Sequence, residues 1–358
     1  VAVSQEAIIE RFLLAQNRLV LQASDLSLDT LANMVKKGAI DLSPQYQRRE
    51  RWSHDKQSLL IESFILNIPV PPIYLSEDAY GRYSVIDGKQ RLSAICAFMS
   101  NVLTLNATKT FHELTGHTYD TLPQDIQYSL SVRPYLRVVS ILKQSDPGLK
   151  YEVFTRLNVG GERLNPQEIR NVAFRGPLND LIVSLSGNSF LRKQLKITSE
   201  KSPAYRKMDD VEYVLRFLTL EENWKDFSGS LAQSMDTFMA RHRNISGAKA
   251  LALQTKFERS IGACKKIWGS KAFKRPDAET WREQFIAGMF DAEMIAVSAF
   301  SDAQILKLVE HSPQILNLTV ELFRTDSRFD EAVRLGTNTP SRIKYRVEQM
   351  RSRLKSVL

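Results

Sequence analysis

The sequence predicts an α+β N-terminal half followed by an all-α C-terminal half. Two observations predict it. Short strand-like runs alternate with helical segments up to about residue 175, and beyond that point the periodic stretches have helical spacing. The charge balance shifts at the same place. Residues 1–175 hold 20 Lys and Arg against 18 Asp and Glu, whereas residues 176–358 hold 29 against 22. Two domains are therefore expected, 1–175 and 176–358, and a chain of 358 residues with 43% hydrophobic content is long enough for both.

Residues 5–22 read as a helix carrying apolar Ile8, Ile9, Phe12 and Leu13. A second helix spans 27–37, opened by Ser27 and closed by Gly38. Ile40 to Tyr46 is extended, because Ser43 precedes Pro44. Ser53 caps a helix that runs to about Leu66, with Asp55 in its first turn, and Pro69, Pro71 and Pro72 stop it. Ile73–Leu75 and Tyr83–Ile86 are strands on either side of a turn at Gly81. Arg91–Ser100 is a helix with Leu92, Ile95, Cys96 and Met99 on one face, and Leu136–Leu142 is a further strand. In the second half, Asp209 opens a helix to Leu220. Ala250, Leu253, Phe257, Ile261, Cys264 and Trp268 mark another helix, and Ser301 starts a third. Thr339-Pro340 opens the last one, whose stripe is Ile343, Val347, Met350 and Leu354.

Composition excludes several classes. Two cysteines make neither a disulfide scaffold nor a cysteine-rich zinc site and fit a reducing cytoplasm. Five histidines without HExxH spacing argue against a histidine-rich metal centre. No apolar run approaches a membrane span, and Val1 to Glu10 lacks the pattern of a signal peptide, so a cytoplasmic protein is expected. The net charge of +9 favours a polyanionic partner, either nucleic acid or nucleotide.

Three segments carry candidate chemistry. In Tyr83-Ser-Val-Ile-Asp87-Gly88-Lys89-Gln90-Arg91-Leu92 a strand meets a helix across a tight turn. Such a turn aims backbone N–H groups and a helix dipole at one point, where a phosphate can bind. Gly88 permits close approach, and Lys89 and Arg91 add charge, Arg91 with a fork suited to phosphate. Asp87 can hold Mg²⁺, orient a water or read a sugar hydroxyl; equally, it can bond local backbone in an ordinary turn. The second segment, Pro44 to Trp52, contains Tyr46, Gln47, Arg48 and Arg51. It reads as a solvated loop or, anchored by Trp52, as a phosphate or base contact. The third runs from Phe154 through Arg156, Asn158, Gly160 and Gly161 to Asn165, Pro166, Glu168, Arg170 and Asn171. Asn165 and Glu168 have the spacing of a capping box with Pro166 at the first helical position, which leaves Arg156, Asn158 and Arg170 unexplained.

In that order, YQR…W, a helix with Ile61-Glu62-Ser63, PxPP, DGKQRL and FxRLNxGGxxLNxQExRN resemble the GmrSD N-terminal-domain-like family, whose hallmark is a DGQQR motif. The resemblance covers about residues 25–175. The departure is Lys89 where the family usually has Gln. The resemblance implies a ParB/sulfiredoxin-like core with a small mixed sheet. It further implies a nucleotide-binding, often nucleotide-hydrolysing domain of prokaryotic restriction and anti-phage systems. Carried over by motif, the positions are Tyr46, Gln47, Arg48, Asp87, Gly88, Gln90, Arg91, Arg156, Asn158 and Gly161. The expected ligand is a nucleoside triphosphate with Mg²⁺ at Asp87. No GxxxxGK[ST] occurs, so the chain is not a P-loop NTPase. Asp87 and Glu62 are the candidate catalytic groups, Glu62 being equally an exposed helix residue or a salt-bridge partner.

Relatives often carry an HNH nuclease domain. After residue 175 the histidines are His242 and His311, neither in a ββα-metal pattern, so no HNH domain is expected and cutting is assigned to a partner nuclease or helicase system. Residues 241–275 instead hold ten Lys and Arg against one Glu. Arg241, Arg243, Lys265, Lys266, Arg346 and Arg351 are the candidate DNA contacts, weighed against a solvated helix face. Trp224, Trp268 and Trp281 fall in helical patterns and read as core. The sequence leaves three functions open: a nucleotide-dependent regulator, a non-hydrolysing ParB-like DNA-binding adaptor, and a metal-dependent nuclease. It does not choose among GTP, ATP and CTP, and it permits a homo-oligomer.

Overall fold

A computed structural model describes residues 4–16, 18–42, 52–106, 108–133, 136–157, 165–277 and 280–358. The chain divides into two compact units, Val1–Ala173 and Phe174–Leu358.

The first unit is α+β. Its elements are α1 (Gln5–Gln16), β1 (Leu21–Leu26), α2 (Leu28–Lys36), β2 (Ile40–Asp41), α3 (His54–Ile65), β3 (Ile73–Ala79), β4 (Arg82–Asp87), α4 (Lys89–Met99), α5 (Gln124–Val132), β5 (Leu136–Ile141), α6 (Pro147–Leu157) and α7 (Pro166–Ala173). The five strands form one mixed sheet in the order β1-β5-β3-β4-β2. The β3–β4 and β1–β5 pairs are antiparallel, and the β3–β5 and β2–β4 pairs are parallel.

Local signals set most of these boundaries. Ser27 Oγ accepts from Thr30 N at 3.2 Å, and Ser53 Oγ from Lys56 N at 3.4 Å, each satisfying a donor that the first helical turn leaves open. The core lies between sheet and helices: Leu28 and Leu31 from α2, Ile61 and Phe64 from α3, and Leu92, Ile95 and Phe98 from α4 pack with Ile73, Leu75 and Val85.

One expectation is corrected here. Residues 5–22 are not a single helix, because α1 ends at Gln16 and Leu21 begins a strand. That strand pairs along its whole length with β5, Leu21 opposite Ile141 and Leu26 opposite Leu136. Ser145 Oγ fixes its entry by accepting from Val20 N at 3.0 Å and donating to Val20 O at 3.3 Å. Helical spacing of apolar residues is local, whereas this pairing is made across more than a hundred residues.

The second unit is helical apart from a two-stranded turn of β6 (Pro276–Asp277) and β7 (Thr280–Trp281). Its helices are α8 (Pro177–Leu185), α9 (Ser189–Gln194), α10 (Pro203–Arg206), α11 (Asp209–Asn223), α12 (Leu231–His242), α13 (Gly247–Trp268), α14 (Ala287–Ser298), α15 (Asp302–Glu310), α16 (Ser312–Thr325), α17 (Ser327–Arg334) and α18 (Pro340–Lys355). Helix α14 is the axis of the unit. Residues 288–297 are all buried, and α11, α13, α17 and α18 pack around them. Gly288 permits the closest of these approaches, since a Cβ there would lie 2.4 Å from Val333 O. Trp268 is core, its Nε1 donating to Thr319 Oγ1 at 3.1 Å, whereas Trp224 and Trp281 are partly exposed.

Candidate functional site

The DGKQR segment forms the junction between β4 and α4. Gly88 stands at the helix N-cap with φ 94° and ψ 12°, and no side chain caps the helix start. Only glycine adopts that conformation cheaply. A Cβ there would also lie 2.9 Å from Ile73 Cγ1 and 3.1 Å from Arg91 Nη2, so the turn excludes larger residues twice over.

Arg91 lies beneath the turn. Its Nη2 donates to Asp87 Oδ2 at 2.7 Å and to Pro72 O at 3.0 Å. The Arg91 side chain is 15% exposed and that of Asp87 50%, so the carboxylate faces outward and the guanidinium inward. The Pro72 carbonyl belongs to the proline segment leading into β3. Arg91 therefore ties together the two strand ends that frame the turn.

Gln90 extends the same junction to α3. Its Oε1 accepts from Trp52 N at 3.1 Å, and Gln57 Nε2 donates to Trp52 O at 3.0 Å. Both backbone groups of Trp52 are thus held by side chains. Trp52 is the last residue of the YQR…W motif, so Gln90 holds the end of that motif. Tyr46, Gln47, Arg48, Asn158 and Gly161 lie outside the described residues.

Glu62 is not joined to this turn. It is 4% exposed, and its Oε1 accepts from Thr110 N and Phe111 N, both at 2.8 Å, while Oε2 accepts from Lys109 N at 3.1 Å. Burial raises its pKa, but the three amide donors outweigh that and hold the carboxyl below its ordinary range. Ser58, one helical turn earlier, grips the same loop: its Oγ donates to Asn106 Oδ1 at 2.9 Å and accepts from Asn106 N at 3.0 Å. The reading of Glu62 as an exposed residue or salt-bridge partner is corrected: α3 uses it to anchor the loop at 109–111.

Arg156, in the last turn of α6, is 78% exposed and ion-paired with Glu152. The capping box at Asn165 forms with both bonds, Glu168 N to Asn165 Oδ1 at 2.8 Å and Asn165 N to Glu168 Oε2 at 2.7 Å. Helix α7 also buries polar residues that the capping box does not account for. Gln167, Arg170 and Asn171 are at most 1% exposed, and Gln167 Nε2 donates to Asn171 Oδ1 at 2.9 Å. Ile169 and Val172 of the same helix pack with Ile86, next to Asp87, and with Tyr74. The signal was the polar run QExRN, which capping alone does not require.

In the second unit Arg346 is corrected as a DNA contact. It is fully buried and ion-paired with Asp291, and its Nη1 donates to Ala332 O at 2.8 Å. Arg216 grips the same carboxylate with two bonds of 2.7 Å. Burial disfavours both guanidinium charges. Asp291 more than compensates for Arg216, whose pKa is raised, while that of Arg346 is lowered. An apolar stripe with basic neighbours does not reveal which basic residue points inward. Arg243 is partly buried and donates through Nε to Arg175 O at 2.8 Å, and Arg351 is partly exposed. Arg241 is 62% exposed and paired with Glu222 at 2.9 Å. Lys265 and Lys266 are exposed in the last turn of α13.

Among the described residues, no group of three or more His, Cys, Asp or Glu is placed to hold a metal ion. No helix of the described residues is long and apolar enough to cross a membrane.

The fold and the junction together define an α+β domain built around a strand–glycine–helix turn. Residues 28–175 match the family model described as GmrSD restriction endonuclease, N-terminal domain, and this segment belongs to the GmrSD N-terminal-domain-like family. The match covers less than half of the chain. No curated protein and no solved structure matches it.

Proposed function

We propose that this chain is a component of a restriction or anti-phage system and that its first unit binds a nucleoside triphosphate at the Asp87–Arg91 turn. The observation that carries this reading is Gly88 at the start of α4, in a left-handed conformation with no side-chain cap. That arrangement leaves the helix terminus to an anion. Lys89 supplies a cation beside it, Asp87 positions Mg²⁺ or water, and Gln90 links the turn to Trp52. The resemblance adds Arg156, Asn158 and Gly161 to the proposed site. Charge-assisted bonds contribute about 1.5–3 kcal/mol each. Three or four of them reach micromolar affinity, about −8 kcal/mol.

Calorimetric titration with GTP, ATP and CTP in Mg²⁺, together with phosphate release, tests the reading. Wild type is expected to bind one of them in the micromolar range, with Lys89→Ala and Asp87→Ala at least tenfold weaker. Equal binding and equal phosphate release by all three proteins would sink it.

A second reading concerns the second unit, where Lys265 and Lys266 are exposed side by side. The surface they mark suits a DNA backbone. The log of the affinity for duplex DNA is then expected to fall linearly with log salt, and Lys265→Ala/Lys266→Ala to reduce that slope by about two. Metal-dependent plasmid cutting by the lone chain would instead favour an intrinsic nuclease.

A further inference from the structure

Two segments far apart in sequence form one basic surface on the second unit. Residues 189–207 and 265–283 together hold twelve Lys and Arg against four Asp and Glu, a surplus of eight, whereas residues 176–358 as a whole have a surplus of seven. The fold brings the two segments together. Gln194, at the end of α9, donates through Nε2 to Gly269 O at 3.3 Å and to Ser270 O at 3.4 Å, just past the end of α13. Phe190 and Phe273 meet with ring centroids 6.0 Å apart. The Glu283 carboxyl is held below its ordinary range by its bond to Lys274 and, in smaller measure, by Lys196, which places Lys196 beside the β6–β7 turn.

Of the described acids in these segments, Asp277 pairs with Arg282 at 3.0 Å and Glu283 with Lys274 at 2.7 Å, which leaves Glu200. Lys193, Lys196, Lys265, Lys266 and Lys271 have no ion pair among the described residues, and the first four are exposed. Like charges gathered without counter-charges repel one another and draw a polyanion. An aromatic ring lies among them. Trp281 stands opposite Pro276 in the β6–β7 ladder, is partly exposed, and has Lys271 Nζ 5.6 Å from its ring centroid. Among the described residues its ring packs on no other aromatic ring and its indole N–H donates to no protein group.

We propose that this surface holds a single-stranded segment of DNA, with phosphates on the lysines and an unpaired base on the ring of Trp281. The proposal rests on the DNA reading of Lys265 and Lys266 and adds the form of DNA that is bound. A contact to the backbone alone needs cations and no aromatic ring. In a duplex both faces of each base are covered by its neighbours, whereas a single strand offers them to a side chain. Cations that track the backbone together with an aromatic platform are the combination that single strands require. The unpaired cations are all lysines, compact charges that take a phosphate without the fixed geometry an arginine fork demands.

Fluorescence anisotropy on the full chain tests this, with a labelled oligothymidylate about 20 nucleotides long, longer than one such site, and a duplex of equal length. Wild type is expected to bind the single strand about tenfold more tightly than the duplex, and Trp281→Ala to lose about that factor on the single strand and nothing on the duplex. Trp281→Phe, which keeps a ring to stack on, is expected to retain most of the affinity, with the melting transition of both variants unchanged. Lys193→Ala/Lys196→Ala is expected to weaken binding and to lower the salt slope for the single strand by about 1.4. Trp281→Ala binding the single strand as wild type does overturns the proposal while leaving the DNA reading intact, as does Trp281→Phe falling as far as Trp281→Ala. Polyglutamate that competes as well as unlabelled oligothymidylate also overturns it. Binding of neither DNA removes both readings.

Discussion

The guanidinium of Arg91 donates through one nitrogen both to Asp87 Oδ2, at 2.7 Å, and to Pro72 O, at 3.0 Å. The first bond reaches a half-exposed carboxylate within one helical turn, and ion pairs open to solvent contribute up to about 1 kcal/mol. The second holds a carbonyl from a largely buried guanidinium and contributes about 1.5–3 kcal/mol. Asp87→Ala is therefore expected to cost less than about 1 kcal/mol of stability, and Arg91→Ala at least 1.5. Urea denaturation distinguishes them, and equal losses would show that the Pro72 anchor carries no weight.

Glu62 gives a second prediction. Glu62→Ala leaves three amide donors without their acceptor, which costs about 2–4 kcal/mol. Its folded pKa is lowered, so its contribution is present above the unfolded value and is lost as pH falls through the folded one. The gap in stability between wild type and Glu62→Ala is expected to shrink on acidification below about pH 4. A constant gap would mean that the ionised carboxylate is not what holds the loop.

The Arg216–Asp291–Arg346 cluster ranks three substitutions. Asp291→Asn leaves two buried guanidinium groups facing a neutral amide and is expected to cost at least about 3–5 kcal/mol. Arg346→Met leaves Arg216 on Asp291 with both of its bonds, and methionine fills part of the space, so the loss is expected to be smaller. Thermal unfolding of the two variants decides the ranking.

Glu293 predicts a stability slope of the opposite sign to that of Glu62. It is fully buried, its Oε2 accepts from Phe273 N at 3.0 Å, and burial pushes its carboxyl well above the usual range. The folded protein therefore keeps a proton that the unfolded chain releases above about pH 4.3. This contribution is full below that pH and declines as pH rises toward the folded value. Glu293→Gln removes the slope, so the variant is expected to gain on wild type between pH 5 and 8, roughly. Parallel stability curves over that range would show that Glu293 is ionised in the fold.

What the sequence by itself determined was local. Ser27, Ser53 and Ser301 cap the helices that their spacing announces, Asn165 and Glu168 form their reciprocal box, and Gly88 occupies the left-handed turn that a strand-to-helix junction needs. Each depends on residues within four positions of one another. The ordered motifs placed Asp87 to Arg91 together for the same reason. Tertiary structure decided the rest. It turned Leu21–Leu26 into a strand by pairing it with Leu136–Ile141, joined Gln90 to Trp52, bound Glu62 to the loop at 109–111, and drew Arg346 inward onto Asp291. In each case a hydrogen-bonding or charged group found its partner 38 or more residues away, and no local pattern specifies where a chain will bring such partners together.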